Sequence, residues 1–359
     1  MPLFFQAPRI FRILPWLLLP LFSAPVLAVK VSGLYQSEVP VAGQEAEQRN
    51  EAIIQALSLV LTKVSGSRSI ANRPELAGAL AQAPRYVQQY RYRLDDSRES
   101  APEAQPQRYL EVAFDPRAVD NLLRQHRLPV WGDNRPGGLV WLGEQGRGGR
   151  RLLGSEDNAW TLLAESARAR GLALITPLMD LEDQARLQVA DLWGDFESNI
   201  RQASLRYGSD YILTGRLEAV SATLWRSSWR LYQGEQVAAW NNDGGGREEL
   251  LRQGVAYAAD LLASRYAPAA SDSGLSRLRL RVAGISDFRD FTAVERFLVS
   301  QSGVERVDLD AAEAEAATFL LQVRGAQSLE QGLGLGGLLS PDEAVAEGGP
   351  LADLYYRLR

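Results

Sequence analysis

The chain has 359 residues, 46% of them hydrophobic and 23% charged, with a formal net charge of −5. That balance excludes a disordered polyelectrolyte, and its acidity argues against sequence-independent nucleic-acid binding, which works by neutralising phosphates. There is no cysteine, so disulfides, thiolate metal sites and lipid attachment through a cysteine are excluded, and the core alone must hold the fold.

The first 28 residues read as a secretory signal. Arg9 and Arg12 supply a positive start, Ile13 to Leu21 is an apolar run interrupted by Pro15 and Pro20, and Val26-Leu27-Ala28 fits a peptidase site, with cleavage expected after Ala28. A membrane-spanning helix needs ~20 continuous apolar residues, and this run is shorter and carries prolines. Losing this segment removes two arginines and no acid, taking the net charge from −5 to −7. The expected location is the bacterial periplasm, and no later stretch is long and apolar enough to make the mature protein integral.

The remainder predicts an α+β protein of several small mixed or antiparallel sheets, each packed with helices, in three segments: 29–133, 134–268 and 275–359. In the first, a strand over 31–41 precedes a helix over 45–64, in which Ile53, Leu57, Val60 and Val64 recur at helical spacing. Gly66 stops it, and Asn72 and Pro74 restart a short helix. Strands at 86–94 and 108–114 flank a polar loop, and Asp115-Pro116 opens another helix.

In the second segment Leu139 to Leu142 is a short buried strand, and the glycine-rich 143–149 stretch reads as a surface loop. Ser155 is positioned to cap a helix carrying Trp160, Leu163 and Ala167. After a strand at 172–176, Asp195 is placed to cap a helix with Phe196, Ile200, Ala203 and Tyr207 on its inner face. Strands at 211–220, 224–232 and 236–240 form a meander, with a turn at Gln233-Gly234. A helix over 247–266 follows. A Pro, Ala, Ser and Gly linker over 267–274 leads to a β-α-β-β pattern. Its first strand alternates Leu278, Leu280 and Val282 with three arginines. Ser286 and Asp287 cap a helix carrying Phe288, Phe291, Val294 and Leu298, and strands fall at 304–309, 318–323 and 354–358. Glycines at 332, 334, 336 and 337 suit a close-packed turn or a flap.

Gly33-Leu34-Tyr35, Val39-Pro40-Val41, Arg49, Ala52, Ala56-Leu57, Val60-Leu61, Val64-Ser65-Gly66 and Pro129-Val130-Trp131 together resemble an uncharacterised proteobacterial envelope family of the DUF2066 type. That resemblance runs over nearly all of the chain beyond the signal and implies a periplasmic protein without assigning an activity. Tyr207-Gly208-Ser209-Asp210-Tyr211-Ile212-Leu213-Thr214-Gly215-Arg216-Leu217 is similar to a strand in TolB amino-terminal domains and in envelope assembly factors of the curli-secretion (CsgG) and penicillin-binding-protein-activator types. This second likeness implies a binding module. The chain departs from both groups, lacking the propeller repeats of full TolB and the lipobox cysteine of the assembly factors.

Catalytic constellations are sparse. His126 is the one histidine, and a catalytic triad or zinc site would have to use it; an ordinary helix residue is the simpler reading. The 143–149 loop lacks the Lys-Ser/Thr pair of a phosphate-binding P-loop. No catalytic residue, cofactor or metal ligand is therefore assigned. Arg277, Arg279 and Arg281 form a candidate partner surface, against the alternative of a solvated sheet face. Asp191, Trp193, Asp195 and Glu197 form a candidate ligand cluster, because paired acids and a tryptophan suit a sugar; a capping Asp195 and a core Trp193 are the structural alternative. The expected function is a non-enzymatic adaptor or accessory protein in cell-envelope assembly, with unidentified envelope proteins as partners. The alternative is a periplasmic glycan-binding protein or hydrolase using the carboxylates near Trp193.

Overall fold

In a computed structural model of the protein, residues 31–95, 107–268, 274–342 and 351–359 are described. The predicted signal over 1–28 lies outside them, as do most of the polar loop between the second and third strands and most of the predicted linker.

The chain enters through β1 (Gln36–Pro40), where Val39 is buried. In α1 (Ala46–Ser65) the expected stripe of Ile53, Leu57, Val60, Leu61 and Val64 is buried, and Gly66 closes it at φ +75°, its N–H returning to the Thr62 carbonyl. After α2 (Ala77–Ala81), β2 (Val87–Asp95) and β3 (Gln107–Phe114) pair antiparallel, and β3 lies between β1 and β2. Leu110, Val112 and Phe114 alternate toward α1. Asp115 caps α3 (Pro116–Gln125) by accepting from Arg117 N–H at 2.9 Å.

The second sheet starts with β4 (Gly137–Gly146) and β5 (Gly149–Leu152). Next come α4 (Ala159–Arg170), β6 (Ala173–Ile175), α5 (Leu181–Arg186), α6 (Val189–Trp193) and α7 (Glu197–Ser204). The meander of β7 (Tyr211–Ala219), β8 (Trp225–Gln233) and β9 (Gln236–Asp243) precedes α8 (Arg247–Tyr266). The strand order is β5-β4-β7-β8-β9, with β4 parallel to β7 and β6 parallel to β4. The continuous apolar run Leu139-Val140-Trp141-Leu142 reflects burial on both faces. Val140 and Leu142 meet α4 and α8, whereas Leu139 and Trp141 meet the layer of α6 and α7. Trp229 presses its ring so closely on Gly215 and Gly254 that a Cβ at either would lie within 2.5 Å of it.

The third sheet is built from β10 (Ser276–Ala283), α9 (Phe288–Val299), β11 (Val304–Ala312), β12 (Ala316–Val323), α10 (Ala326–Leu333), β13 (Leu339–Pro341) and β14 (Leu354–Leu358). Its order is β11-β12-β10-β14-β13. The protein is thus α+β, with three separate sheets of antiparallel or mixed pairing.

Several local expectations are corrected. The 143–149 stretch is paired, not a free loop: Gly143 to Gly146 face Leu152 to Gly149 across a hairpin that Gly149 closes at φ +95°. Ser155 does not cap α4, which starts at Ala159, and Asp157 accepts from the Ala159 N–H instead. Asp195 does not cap α7. It sits at φ +53° with its carboxylate drawn to Arg230 (2.8 Å) and Arg216 (3.4 Å), so Phe196 falls at the cap position and is 53% exposed. Phe288 is exposed and stacks on Phe291, which stacks in turn on buried Phe319. The glycines at 332–337 form the close-packed turn, with Leu333 and Leu335 buried.

The segment between α3 and β4 is where the sheets meet. Arg135 is fully buried. Its guanidinium donates to the carbonyls of Gly132 (2.9 Å), Gly171 (2.9 Å), Lys63 (2.8 Å) and Trp131 (2.8 Å), and lies 4.1 Å over the Trp131 ring. Burial pulls its pKa down to about 9, leaving it charged at neutral pH. Arg170 extends the junction, donating to the Gly66 carbonyl (2.8 Å) and to Asp260 of α8 (2.7 Å). The third sheet joins through Gly132 N–H to Ser302 Oγ (2.9 Å). It joins again through Asp210, whose carboxylate accepts from Gly137 N–H (2.7 Å) and Gly336 N–H (3.1 Å).

Arg135→Leu leaves these carbonyls without a donor and should lower unfolding free energy by about 3–5 kcal/mol in urea titrations. Gly254→Ala should also destabilise, by about 1–2 kcal/mol, because the collision with Trp229 outweighs the ~1 kcal/mol helix-propensity gain.

Candidate functional site

The clearest surface feature lies on the α5–α7 side of the second sheet. Asp180 caps α5 by accepting from Asp183 N–H at 3.0 Å. Asp183 is buried, and its carboxylate accepts from Met179 N–H (2.8 Å), the Tyr207 hydroxyl (2.5 Å) and Arg206 (3.2 Å). The same tyrosine oxygen accepts from Leu178 N–H at 2.9 Å. Arg206 forks onto both oxygens of Asp180, at 2.9 and 3.1 Å. Burial and the Asp183 bond push the Tyr207 pKa up to about 12, so it stays a neutral donor. This network pins the 178–183 stretch, with Met179 held at φ +55°, to the turn at 205–207.

On these two pinned stretches the leucines face water. Leu178 is 64% exposed, Leu181 83% and Leu205 66%. Rigid display of apolar side chains beside a satisfied polar network is an arrangement suited to protein contact. Sequence reading passed over this stretch; the Asp-x-x-Asp spacing of 180 and 183 was its available helix-start signal.

The residues singled out from sequence are placed as follows. Arg277, Arg279 and Arg281 share the face of β10 opposite α9. Arg279 pairs with Asp310 (3.2 Å) and Arg281 with Glu313 (2.6 Å). Asp191 is turned to the Gln188 N–H (2.7 Å) and Asn199 (2.6 Å), Asp195 to its two arginines, and Glu197 to Arg201 (2.7 Å). The three acids are near in sequence, but each is aimed at different partners. Trp193 packs on Gly143, donates to Glu218 at 3.3 Å and lies under Arg150. His126 is exposed at the end of α3.

Two clefts flank the junction. One of about 560 Å³ lies between α3 and the turn at 299–305. Within it Tyr35 donates to Asp120 (2.8 Å), and Glu305 binds Arg324 (3.1 Å) and Arg124 (3.5 Å). Burial raises the pKa values of both Tyr35 and Asp120.

The other cleft, about 590 Å³, lies between β1 and α4 and is lined by Lys63 and Arg168. Lys63 is buried and donates once, to the Gln36 carbonyl at 2.6 Å. Desolvation, with Arg168 and Arg135 adding repulsion, lowers its pKa to about 8.

The fold is α+β, and comparison with known proteins adds the following. The profile of a domain of unknown function (DUF8605) matches residues 28–132, which hold the first sheet; this is a different family from the DUF2066 type expected over nearly the whole chain. Among solved structures, the LpoB C-terminal domain from Salmonella enterica is similar at 16% identity and a TM-score of 0.23, covering 30% of this chain and 80% of that chain. No curated protein matches. Among the described residues no helix is long and apolar enough to cross a membrane.

A lysine whose folded pKa lies near 8, below its unfolded value of 10.5, binds fewer protons when folded. Its charge therefore costs stability in full below about pH 8, and that loss is recovered as pH rises toward 10.5. Lys63→Met should accordingly raise unfolding free energy at pH 7 by about 2–3 kcal/mol, the gain shrinking to little by pH 10 in parallel urea titrations.

Proposed function

We propose that the protein is a non-enzymatic adaptor of the bacterial cell envelope, exported on its leading segment and acting in the periplasm through contact with an envelope protein. The observation that carries this reading is the leucine shelf of Leu178, Leu181 and Leu205 on a backbone fixed by Asp183, Tyr207 and Arg206. Covering each leucine contributes about 1–2 kcal/mol, and little ordering entropy opposes it, because the supporting backbone is already pinned. The arginine row of β10 is a secondary contact surface in this reading, with Arg277 its unpaired member among the described residues. The export reading is supported by the signal-like composition of residues 1–28 and by the start of the family match at residue 28.

A photo-crosslinking amino acid at position 181 tests this in cells. A discrete adduct with an envelope protein is expected, lost when Leu178→Asp and Leu205→Asp are added and absent when the probe is moved to position 252 on α8. No adduct at 181, or one indifferent to the aspartates, would show that the shelf is not the contact.

A further inference from the structure

We propose that the cleft between β1 and α4 is a binding site for a phosphate monoester, seated between the Lys63 ammonium and the Arg168 guanidinium. The inference stands independently of the leucine shelf.

The observation is a pair of cations without an anion. Lys63 is 7% exposed, yet its one hydrogen bond goes to a backbone carbonyl. Two of its three N–H donors are unspent, and it lines the cleft. Arg168, in the last turn of α4, lines the same cleft and makes no ion pair among the described residues. The other arginine lining this cleft, Arg91, is matched with Glu111.

The groups around Lys63 do not neutralise it. Arg168 faces it from α4 and Arg135 from the segment before β4, and both repel it. Glu38 on β1 and Glu111 on β3 also line the cleft, but Arg93 and Arg91 from β2 hold them. Buried Lys63 and exposed Arg168 thus make no ion pair among the described residues, while the two glutamates of the cleft are held by arginines.

Composition sharpens the point. The chain has two lysines, Lys30 and Lys63, among 39 basic residues. At a buried position, lysine offers a compact charge with three rotatable donors where arginine would offer a planar fork. Lys63 is held there against its own desolvation, and a residue retained at a cost to stability is the mark of a site with work to do.

Two unopposed cations fit a dianion. A phosphate monoester, with a second pKa of ~6, carries nearly two negative charges at neutral pH and accepts from both groups through separate oxygens. A single carboxylate would leave one charge uncompensated. The cleft volume lies within the ~300–1,000 Å³ of small-molecule sites, so it can hold the group that the phosphate carries.

Calorimetry with glycerol 3-phosphate on the full chain tests the proposal. Saturable binding is expected, weakened about tenfold or more by Arg168→Gln, an exposed substitution that leaves the core untouched. The probe stays dianionic between about pH 7.5 and 9.5 while Lys63 loses its proton, so affinity should fall about tenfold or more across that window. Lys63→Arg should flatten this pH profile. Absent binding, binding unaltered by Arg168→Gln, or acetate binding as tightly as the monoester would overturn the assignment. Sedimentation with phosphatidylcholine vesicles containing phosphatidic acid, against phosphatidylcholine alone, separates the sources. Capture by the acidic vesicles, reversed by glycerol 3-phosphate, makes the ligand lipid-borne; binding of the free monoester alone makes it soluble.

Discussion

The arrangement of the three sheets depends on a buried guanidinium. Arg135 is held by a ring of backbone carbonyls and the face of Trp131, with Asp133 adding attraction. Because the carbonyls belong to the end of α1, to the segment before β4 and to the residue after α4, a single side chain fixes the first sheet against the second. A charge so enclosed tolerates little displacement, since any carbonyl that moves away leaves both partners unsatisfied in a low-dielectric interior. Asp210 performs a related task with opposite polarity, joining the start of β4 to the turn after α10 through two backbone N–H groups.

The two surface features differ in how their charges are treated. At the leucine shelf every nearby carboxylate and arginine is internally satisfied, so what remains to offer is apolar area. At the Lys63 cleft the glutamates are held by arginines, whereas buried Lys63 and exposed Arg168 make no ion pair among the described residues. In the α3 cleft Glu305 bridges two arginines and Tyr35 is bound to Asp120. That contrast, rather than volume, distinguishes a packing gap from a place where another molecule completes the electrostatics.

Much of the fold was legible from periodicity. The stripe of α1, the meander of β7 to β9, the length of α8 and the alternation in β10 each follow from local pattern, because each element buries one defined face. Local signals failed where a distant partner decides the conformation. Asp195 looked like a cap, but Arg216 and Arg230 from the neighbouring strands draw it away. The 143–149 glycines looked like a loop until β5 was available to pair with them. Gly254, inside a helix, has its reason in Trp229, far off in the chain. The shelf and the lysine cleft were likewise hidden, since neither exposure of Leu181 nor the isolation of Lys63 is a property of local sequence. Even so, the scarcity of lysine was visible in the composition.

The position of Arg135 along the chain has a consequence for the order of folding. It must gather the carbonyl of residue 63 behind it and that of residue 171 ahead of it. The first sheet can form its own hydrophobic cluster early, but its final seat must wait until α4 has been threaded out and coiled. In a chain delivered from one end, the amino-terminal third therefore passes through an interval with Trp131 and the end of α1 uncovered, when helper proteins would have most to shield.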